Sequence, residues 1–302
     1  MKEKKKLLFI VNPVSGISHK ESFPSFVERV LDKSQYDYEI KYTERAGHAS
    51  EISRAAVAEN VDVVVAMGGD GTINEVARCL INTKTQLGII PSGSGNGLAR
   101  HLNIPLNFEG ALRLINKGVC SKIDTATING EVFVSIAGVG FDALVAKLFA
   151  EDTNRGFFTY FKIVAAKFQS YKPKHYTLIL DNKTTIETDA LFIAFANSSQ
   201  FGYNTTIAPE AKLNDGLLDV CVVEKPPIFE MPLIINLLLL KRIHKSKFVQ
   251  VYKASEILVK RNKNRTINLD GEPLKLKKNL KIRVNPLSLN VLMPKTYEEE
   301  NQ

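Results

Sequence analysis

Gly68, Gly69, Asp70 and Gly71 stand between an apolar run and a segment of helical periodicity, and backbone this open suits a phosphate group. Val61, Val63, Val64 and Val65 read as a strand buried on both faces, while Ile73, Val76, Ala77 and Leu80 recur at helical spacing. Thr72, followed three residues on by Glu75, has the pattern of a capping box and predicts a helix that begins there. The freed amides of its first turn and the glycine backbone beside them predict a concavity for a nucleotide's phosphates. A side chain at Gly69 is expected to intrude on that space. A lone GGDG reads equally well as a tight strand-to-helix turn.

Two more strand ends carry the same chemistry. Asn12, Pro13, Ser15 and Gly16 follow the apolar run 7–11, and Gly93, Gly95 and Gly97 follow the run 87–90. Ligands of open parallel sheets bind outside the carboxyl ends of strands, so the three loops are expected to line one crevice. Neither a Walker A loop nor the HRD and DFG pair of protein kinases is present. Phosphate charge is then left to backbone amides, a metal ion and scattered polar groups. Asp70 is the odd member, since phosphates repel a carboxylate unless it holds Mg²⁺ or takes a proton. Farther on, Asp270 and Glu272 stand at an Asp-Gly turn in TINLDGEPLKL, and Asp215 and Gly216 form another in LNDGLLDV. A positioned carboxylate can accept the proton of a reacting hydroxyl.

The elements that must position these residues fall into two textures. Through about residue 123, strand runs (7–11, 38–42, 61–65, 87–90) alternate with helical segments (23–31, 49–58, 72–80, 98–102, 111–115), the pattern of a parallel sheet with crossover helices. After it come short strands at 123–137, 176–181, 185–196, 217–223, 249–252, 257–260, 265–269 and 281–284, the signature of a β-sandwich or barrel. Helical insertions at 141–150, 157–168 and 226–241 are apolar enough to read as core helices.

At 302 residues, 44% hydrophobic and 24% charged, the chain has the composition of a globular protein of one large or two ordinary domains. Its net charge of +8, with no nucleic-acid motif, suits an anionic membrane surface better than nucleic acid; Lys20, Arg100, Lys241, Arg242 and Lys245 are the basic groups nearest loops or apolar helices. Cys79, Cys120 and Cys221 lack CxxC spacing, and the five histidines lack HxxxH or HExxH, so a disulfide framework, a zinc site and a serine triad have no support and a reducing cytosol fits. The basic start precedes only the short run 7–11, which does not read as a signal peptide. The longest apolar stretch, MPLIINLLLL at 231–240, is about half of the ~20 residues a spanning helix needs.

NPVSG at residues 12–16, GGDGTINE at 68–75, PSGSGNGLAR at 91–100 and LDGEPL at 269–274, in this order, resemble the diacylglycerol kinase catalytic-domain superfamily, which includes bacterial diacylglycerol kinases, sphingosine kinases and ceramide kinases. The likeness spans nearly the whole chain. It implies an α/β plus β architecture: a Rossmann-like parallel-sheet domain of the NAD kinase and diacylglycerol kinase type at residues 1–125, rejoined by 287–302, and a β-sandwich lipid-substrate domain at 126–286. It implies ATP-dependent phosphorylation of a lipid alcohol entering a cleft between domains, diacylglycerol first, then a sphingoid base, ceramide or polyprenol. An NAD kinase-like enzyme and a non-catalytic nucleotide-binding regulator are the alternatives.

By the same resemblance Asn12, Pro13, Ser15, Gly16, Thr43, Gly68, Gly69, Asp70, Gly71, Thr72, Ile73, Asn74, Glu75 and Ser94 bind the nucleotide. Glu272 is the proton acceptor, Asp270 assists, and Asp70 is an active-site acid. A Mg²⁺ away from the phosphates is held by the Asp215 carboxylate and backbone oxygens of Lys212 and Leu217, which suits a hard cation. Ser94 and Gly97 depart from the threonine and aspartate of the common bacterial GTAND pattern and bring this loop closer to sphingosine and ceramide kinases. The resemblance also implies a cytoplasmic protein at the membrane periphery and allows a homodimer.

Overall fold

The valine- and isoleucine-rich runs of the first hundred residues form parallel strands joined by helices, because strands apolar on both faces need cover on both. The computed structural model describes residues 3–16, 23–153, 156–202 and 205–297. Two compact units divide the chain: the first runs to Ile123 and resumes at Leu287, and the second is Asp124–Pro286.

The first unit contains β1 (Lys5–Val11), α1 (Phe23–Val30), β2 (Tyr36–Tyr42), α2 (His48–Ala58), β3 (Val63–Gly68), α3 (Asp70–Leu80), β4 (Gln86–Pro91), α4 (Gly97–His101) and α5 (Phe108–Lys117). Its sheet runs β2-β1-β3-β4, and the end of the final strand, Asn279–Met293, lies parallel to β4 at Val291 and Leu87. Each of these pairings is parallel. All six residues of β3 are buried, and α3 covers them with Ile73, Val76, Ala77 and Leu80. The chain leaves β1 for β2 on one side and returns to β3 on the other, so a topological switch point falls between β1 and β3. In open α/β sheets that is where the carboxyl ends of the strands part to admit a ligand.

The second unit follows with β5 (Val119–Ile128, which begins before the division), β6 (Glu131–Phe133), β7 (Ile136–Gly140), α6 (Phe141–Glu151), α7 (Phe157–Phe168), β8 (Lys174–Leu180), β9 (Thr184–Ala190), β10 (Phe192–Ala196), β11 (Gln200–Gly202), β12 (Thr205–Thr206), β13 (Leu218–Val223), α8 (Met231–Leu239), β14 (Val249–Ala254), β15 (Glu256–Lys260), β16 (Arg265–Leu269), β17 (Glu272–Leu276) and the start of β18 (Asn279–Met293). One antiparallel sheet runs β14-β13-β10-β7-β16-β17; the facing strands run β18-β15-β8-β9, with β5 beside β18 and β6 beside β5. Val139, Ile193, Phe195, Val220 and Ile267 of the first sheet share one core with Tyr176, Leu178, Val259 and Ile282 of the other, the packing of a β-sandwich.

Three expectations are corrected. Residues 185–196 are not one strand but β9 and β10, which belong to different sheets; the chain changes sheet at Leu191, whose amide donates to the Val223 carbonyl. Ala190 and Leu191 are both buried at this corner, and an unbroken apolar run there reads as one continuous strand. Segment 281–284 is only part of the 15-residue strand β18, Asn279–Met293, in which Leu287 stands at φ +46°. Finally, α7 and α8 are not core helices. Phe168 is the one buried residue of α7, and no described side chain of α8 is buried.

Candidate active site

Val11 pairs with both Tyr42 and Met67, and Gly68 pairs with Pro91, so the strands of the first unit end level. Loops 12–16 and 92–96, the β3–α3 junction at Gly69 with the first turn of α3, and Thr43 after β2 rise from that one edge. The Asn12 amide donates to the Met67 carbonyl at 2.9 Å, and the Thr43 amide to that of Val11 at 2.9 Å. Pro13 is exposed, Thr43 is buried, and the Asn12 side chain closes its own turn by accepting from the Val14 amide at 3.0 Å.

The loops interlock through small residues. Ser15 Oγ lies 2.9 Å from Ser92 Oγ, and Gly16, at φ +50°, lies so close to the Ser92 carbonyl that a Cβ there would collide with it. A Cβ on Gly93 would sit 2.5 Å from the Gly69 Cα, and one on Gly69 would sit 3.3 Å from the Gly93 Cα. The missing side chain of Gly69 therefore also makes room for Gly93, a second demand on this position beside the expected one of phosphate.

The start of α3 also differs from its expected form. Gly69, in extended backbone, is the N-cap and offers no side chain; the helix begins at Asp70, two residues before the predicted capping box. That box does not form because both its members are engaged elsewhere. Thr72 Oγ1 accepts from Asn12 Nδ2 at 3.0 Å, and Glu75 Oε1 accepts from the Gly47 amide at 2.9 Å. The first intrahelical bond runs from the Ile73 amide to the Gly69 carbonyl, so the amides of Gly71 and Thr72 have no acceptor within the helix. Uncapped amides at the positive end of a helix suit an anion. Ile73 is 1% exposed and spends its amide in the helix, so its side chain supports the core. Asn74 is half-buried one residue beyond it, and Ser94 is exposed on the third loop.

Asp70 escapes the expected repulsion by a route not legible in the sequence. Its Oδ2 accepts from the Asn96 amide at 2.9 Å and its Oδ1 from the Gly97 amide at 2.8 Å, capping α4 from a neighbouring loop. Asn96, at φ +54°, fastens its own loop: its Nδ2 donates to the Gly93 carbonyl and its Oδ1 accepts from the Gly93 amide. Ser92 and Asn96 fasten the loops of this candidate site, and sequence reasoning missed them. Only the GSGNG composition hinted at them, since Asn is the residue besides Gly that readily takes a left-handed conformation.

In the second unit, the β16–β17 hairpin turns through Asp270 (φ +48°) and Gly271 (φ +92°), the two positive φ values a tight hairpin of this type demands. Asp270 is buried, and its carboxylate accepts from three amides: Val134 at 2.8 Å, Ser135 at 2.9 Å and Ile136 at 2.9 Å. Asn268 Oδ1 accepts from the Gly271 amide at 2.9 Å, while Asn268 Nδ2 donates to both oxygens of Asp142 at 3.1 and 2.9 Å. The turn is thereby fixed on both sides. Glu272, paired across the hairpin with Leu269, extends an exposed side chain from this rigid frame.

Burial pushes the Asp142 carboxyl up to about 6, against the Asn268 amide, which favours the charged form. Between the ordinary value of 3.8 and about 6, the folded state keeps a proton that the unfolded chain has released, so stability falls as pH rises through this window. Asp142→Asn is expected to match the wild type near pH 4 and to exceed its stability at pH 8 by on the order of 1–3 kcal/mol. Urea titrations at the two pH values measure this, and a variant less stable at pH 8 refutes it.

The Asp215 turn is a surface feature of the second unit. Asp215 Oδ1 accepts from the Leu217 amide at 3.1 Å, and its Oδ2 lies 3.4 Å from Lys253 Nζ, which also approaches Asp219 at 3.2 Å. Among the described residues no group of three His, Cys, Asp or Glu side chains is placed to hold a metal. The donors here, one carboxylate and carbonyl oxygens, fit a hydrated hard cation and no softer metal.

Glycine loops at the switch point of a parallel sheet, followed by an antiparallel sandwich, define the fold that NAD kinases and diacylglycerol kinases share. The description "Diacylglycerol kinase catalytic domain" matches residues 6–128, and "YegS C-terminal NAD kinase beta sandwich-like domain" matches 135–293. The diacylglycerol kinase of Bacillus subtilis (strain 168) is 31% identical over 281 residues, 89% of this chain and 90% of its own length. That of Staphylococcus aureus (strain MRSA252) is 29% identical over 277 residues, 89% and 86% of the two chains. A putative diacylglycerol kinase from Bacillus anthracis str. Sterne shares the fold at a TM-score of 0.81, with 23% identity over 98% of this chain and 99% of its own. An NAD kinase from Archaeoglobus fulgidus, solved in complex with ATP, does so at 0.53 and 13% identity over 97% and 96%. The chain belongs to the diacylglycerol kinase family and, with it, to the ATP-dependent kinases.

Proposed function

We propose that this kinase transfers the γ-phosphoryl group of ATP to a lipid hydroxyl, with diacylglycerol as acceptor and phosphatidic acid as product. The observation that carries the reading is the convergence of loops 12–16 and 92–96 with the Gly69 junction at the switch point, beside the uncapped amides of Gly71 and Thr72. Asn12, Pro13, Ser15, Gly16, Thr43, Gly68 to Gly71, Thr72, Asn74 and Ser94 form the nucleotide edge, and Glu75 and Ile73 support it from behind. Asp70 acts there as a positioning residue that holds the third loop through Asn96 and Gly97. In the reaction, the lipid oxygen bonds to the γ-phosphorus as the bridging bond to ADP breaks. The hydroxyl proton passes to the Glu272 carboxylate, while Asp270, committed to three amides, keeps the turn in place. Mg²⁺ held by Asp215 and the carbonyls of Lys212 and Leu217 would supply a fixed positive charge that stiffens this turn.

The lipid acceptor implies work at the cytoplasmic membrane surface, and no described helix is long and apolar enough to cross a membrane. A screen of phosphate transfer from radiolabelled ATP tests the reading, with diacylglycerol, sphingosine, ceramide and polyprenol in mixed micelles and NAD in solution. Labelled phosphatidic acid is the expected product. Label in NAD alone, or in no acceptor at all, overturns the proposal.

A further inference from the structure

Exposed apolar side chains are not spread evenly over this protein. Of the thirteen large hydrophobic residues exposed among those described, eight lie in two segments of the second unit: Phe157, Phe158 and Phe161 on α7, and Ile228, Phe229, Leu233, Ile235 and Leu240 on and around α8. Phe158 is 79% exposed and Phe229 77%. The inner side of α7 is equally apolar, for Tyr160, Ile163 and Val164 pack with Phe168 against Phe141, Val145 and Leu191. Large apolar side chains on the outer side of a helix as well as the inner suit a core or contact with lipid, and α7 is not in the core.

The two segments meet. Met231, the first residue of α8, packs into the same cluster as α7. Lys225 Nζ donates to the carbonyls of Gln169 at 2.9 Å and Tyr171 at 2.8 Å, and Phe168, Gln169 and Ile228 line one cavity. The same two segments are rich in cations. Residues 157–174 contain Lys162, Lys167, Lys172 and Lys174 and no acid. Residues 225–247 contain Lys225, Lys241, Arg242, Lys245 and Lys247 against the single acid Glu230, which Lys247 pairs at 2.8 Å. Of the basic groups first assigned to a membrane, Lys20 lies outside the described residues, and Arg100, in the first unit, donates to the Gly95 carbonyl.

We infer that α7 and the segment from Lys225 through Lys247 form one face that inserts into the surface of an anionic phospholipid bilayer, its phenylalanines and leucines among the acyl chains and its lysines at the headgroups. The inference rests on the lipid-acceptor reading above and names the surface by which that acceptor is approached. A second copy of the chain fits the face poorly, because a symmetric contact would set the same cations against each other. A bilayer offers the reverse: apolar depth under a negative surface.

The experiment is vesicle sedimentation with phosphatidylcholine vesicles, with and without phosphatidylglycerol and free of any diacylglycerol, on the full chain. Phe158→Glu and Leu233→Glu change exposed residues, so folding is retained, as a melting curve checks. Wild type is expected to bind the anionic vesicles, with high salt weakening the attachment but not abolishing it. Each substitution lowers the partition coefficient by roughly tenfold or more. Turnover of a short-chain acceptor dissolved as monomers stays at the wild-type level in both. Vesicle binding unchanged in the double variant overturns the inference. So does a concentration-dependent dimer, seen by light scattering, that Phe158→Glu dissolves. Wild-type attachment that these variants weaken, from a protein that phosphorylates no lipid, upholds the face and refutes the lipid-acceptor reading instead.

Discussion

Glu272→Gln lowers turnover of the lipid acceptor by roughly 10² to 10⁴ while ATP affinity and melting temperature stay near those of the wild type. The substitution keeps the size of the side chain and removes its capacity to take a proton. The turn itself is held by Asp270 on the 134–136 amides and by Asn268 on Gly271, and the glutamine keeps the polar side chain in place. Asp270→Asn is the informative contrast. An amide cannot accept from three amides as the carboxylate does, so this variant loses thermal stability along with activity. Steady-state kinetics with melting curves on both variants separates the roles. Near-normal turnover in a folded Glu272→Gln enzyme would falsify the assignment of Glu272 as proton acceptor.

Gly93→Ala is expected to weaken ATP binding by roughly 10- to 100-fold and to cost about 1–3 kcal/mol of stability. Its new Cβ would stand 2.5 Å from the Gly69 Cα and 3.0 Å from Asn96 Oδ1, and backbone cannot yield as the tip of a side chain can. The second and third loops must separate, and the phosphate edge opens with them. Gly69→Ala meets Gly93 at 3.3 Å and needs a shift of only a few tenths of an ångström, so its effect is several-fold smaller. Calorimetry of ATP binding gives the ranking. The reverse order would show that Gly69 does face phosphate and that the loop contact matters less.

The parts legible from sequence are those fixed by local pattern. The valines of β3, the helical spacing in α3 and the Asp-Gly turn at 270–271 each state their conformation within a few residues. Partners far apart in the chain were not legible. Asp70 looks like a misplaced charge until the Asn96 and Gly97 amides arrive from 26 and 27 residues away, and Thr72 and Glu75 look like a cap until Asn12 and Gly47 engage them. Asp270, which looks like half of a catalytic pair, is satisfied by amides some 135 residues earlier. The sequence also misleads at α7 and α8, for periodicity reports which residues are apolar and not what they lie against.

Strand β18 carries a consequence for how the protein is made. Its last residues line β4 in the first unit, with Val291 beside Leu87, yet the ribosome delivers them only after the entire second unit. While the chain is being synthesised, the nucleotide-binding sheet waits with the flank of β4 unclaimed, its backbone donors and acceptors open to any passing strand. The second unit thus sits in the chain as an insertion that must be completed before its host can close. A message truncated after codon 286 would yield a polypeptide with every glycine loop present and a raw sheet margin, a substrate for chaperones and proteases before it was ever an enzyme.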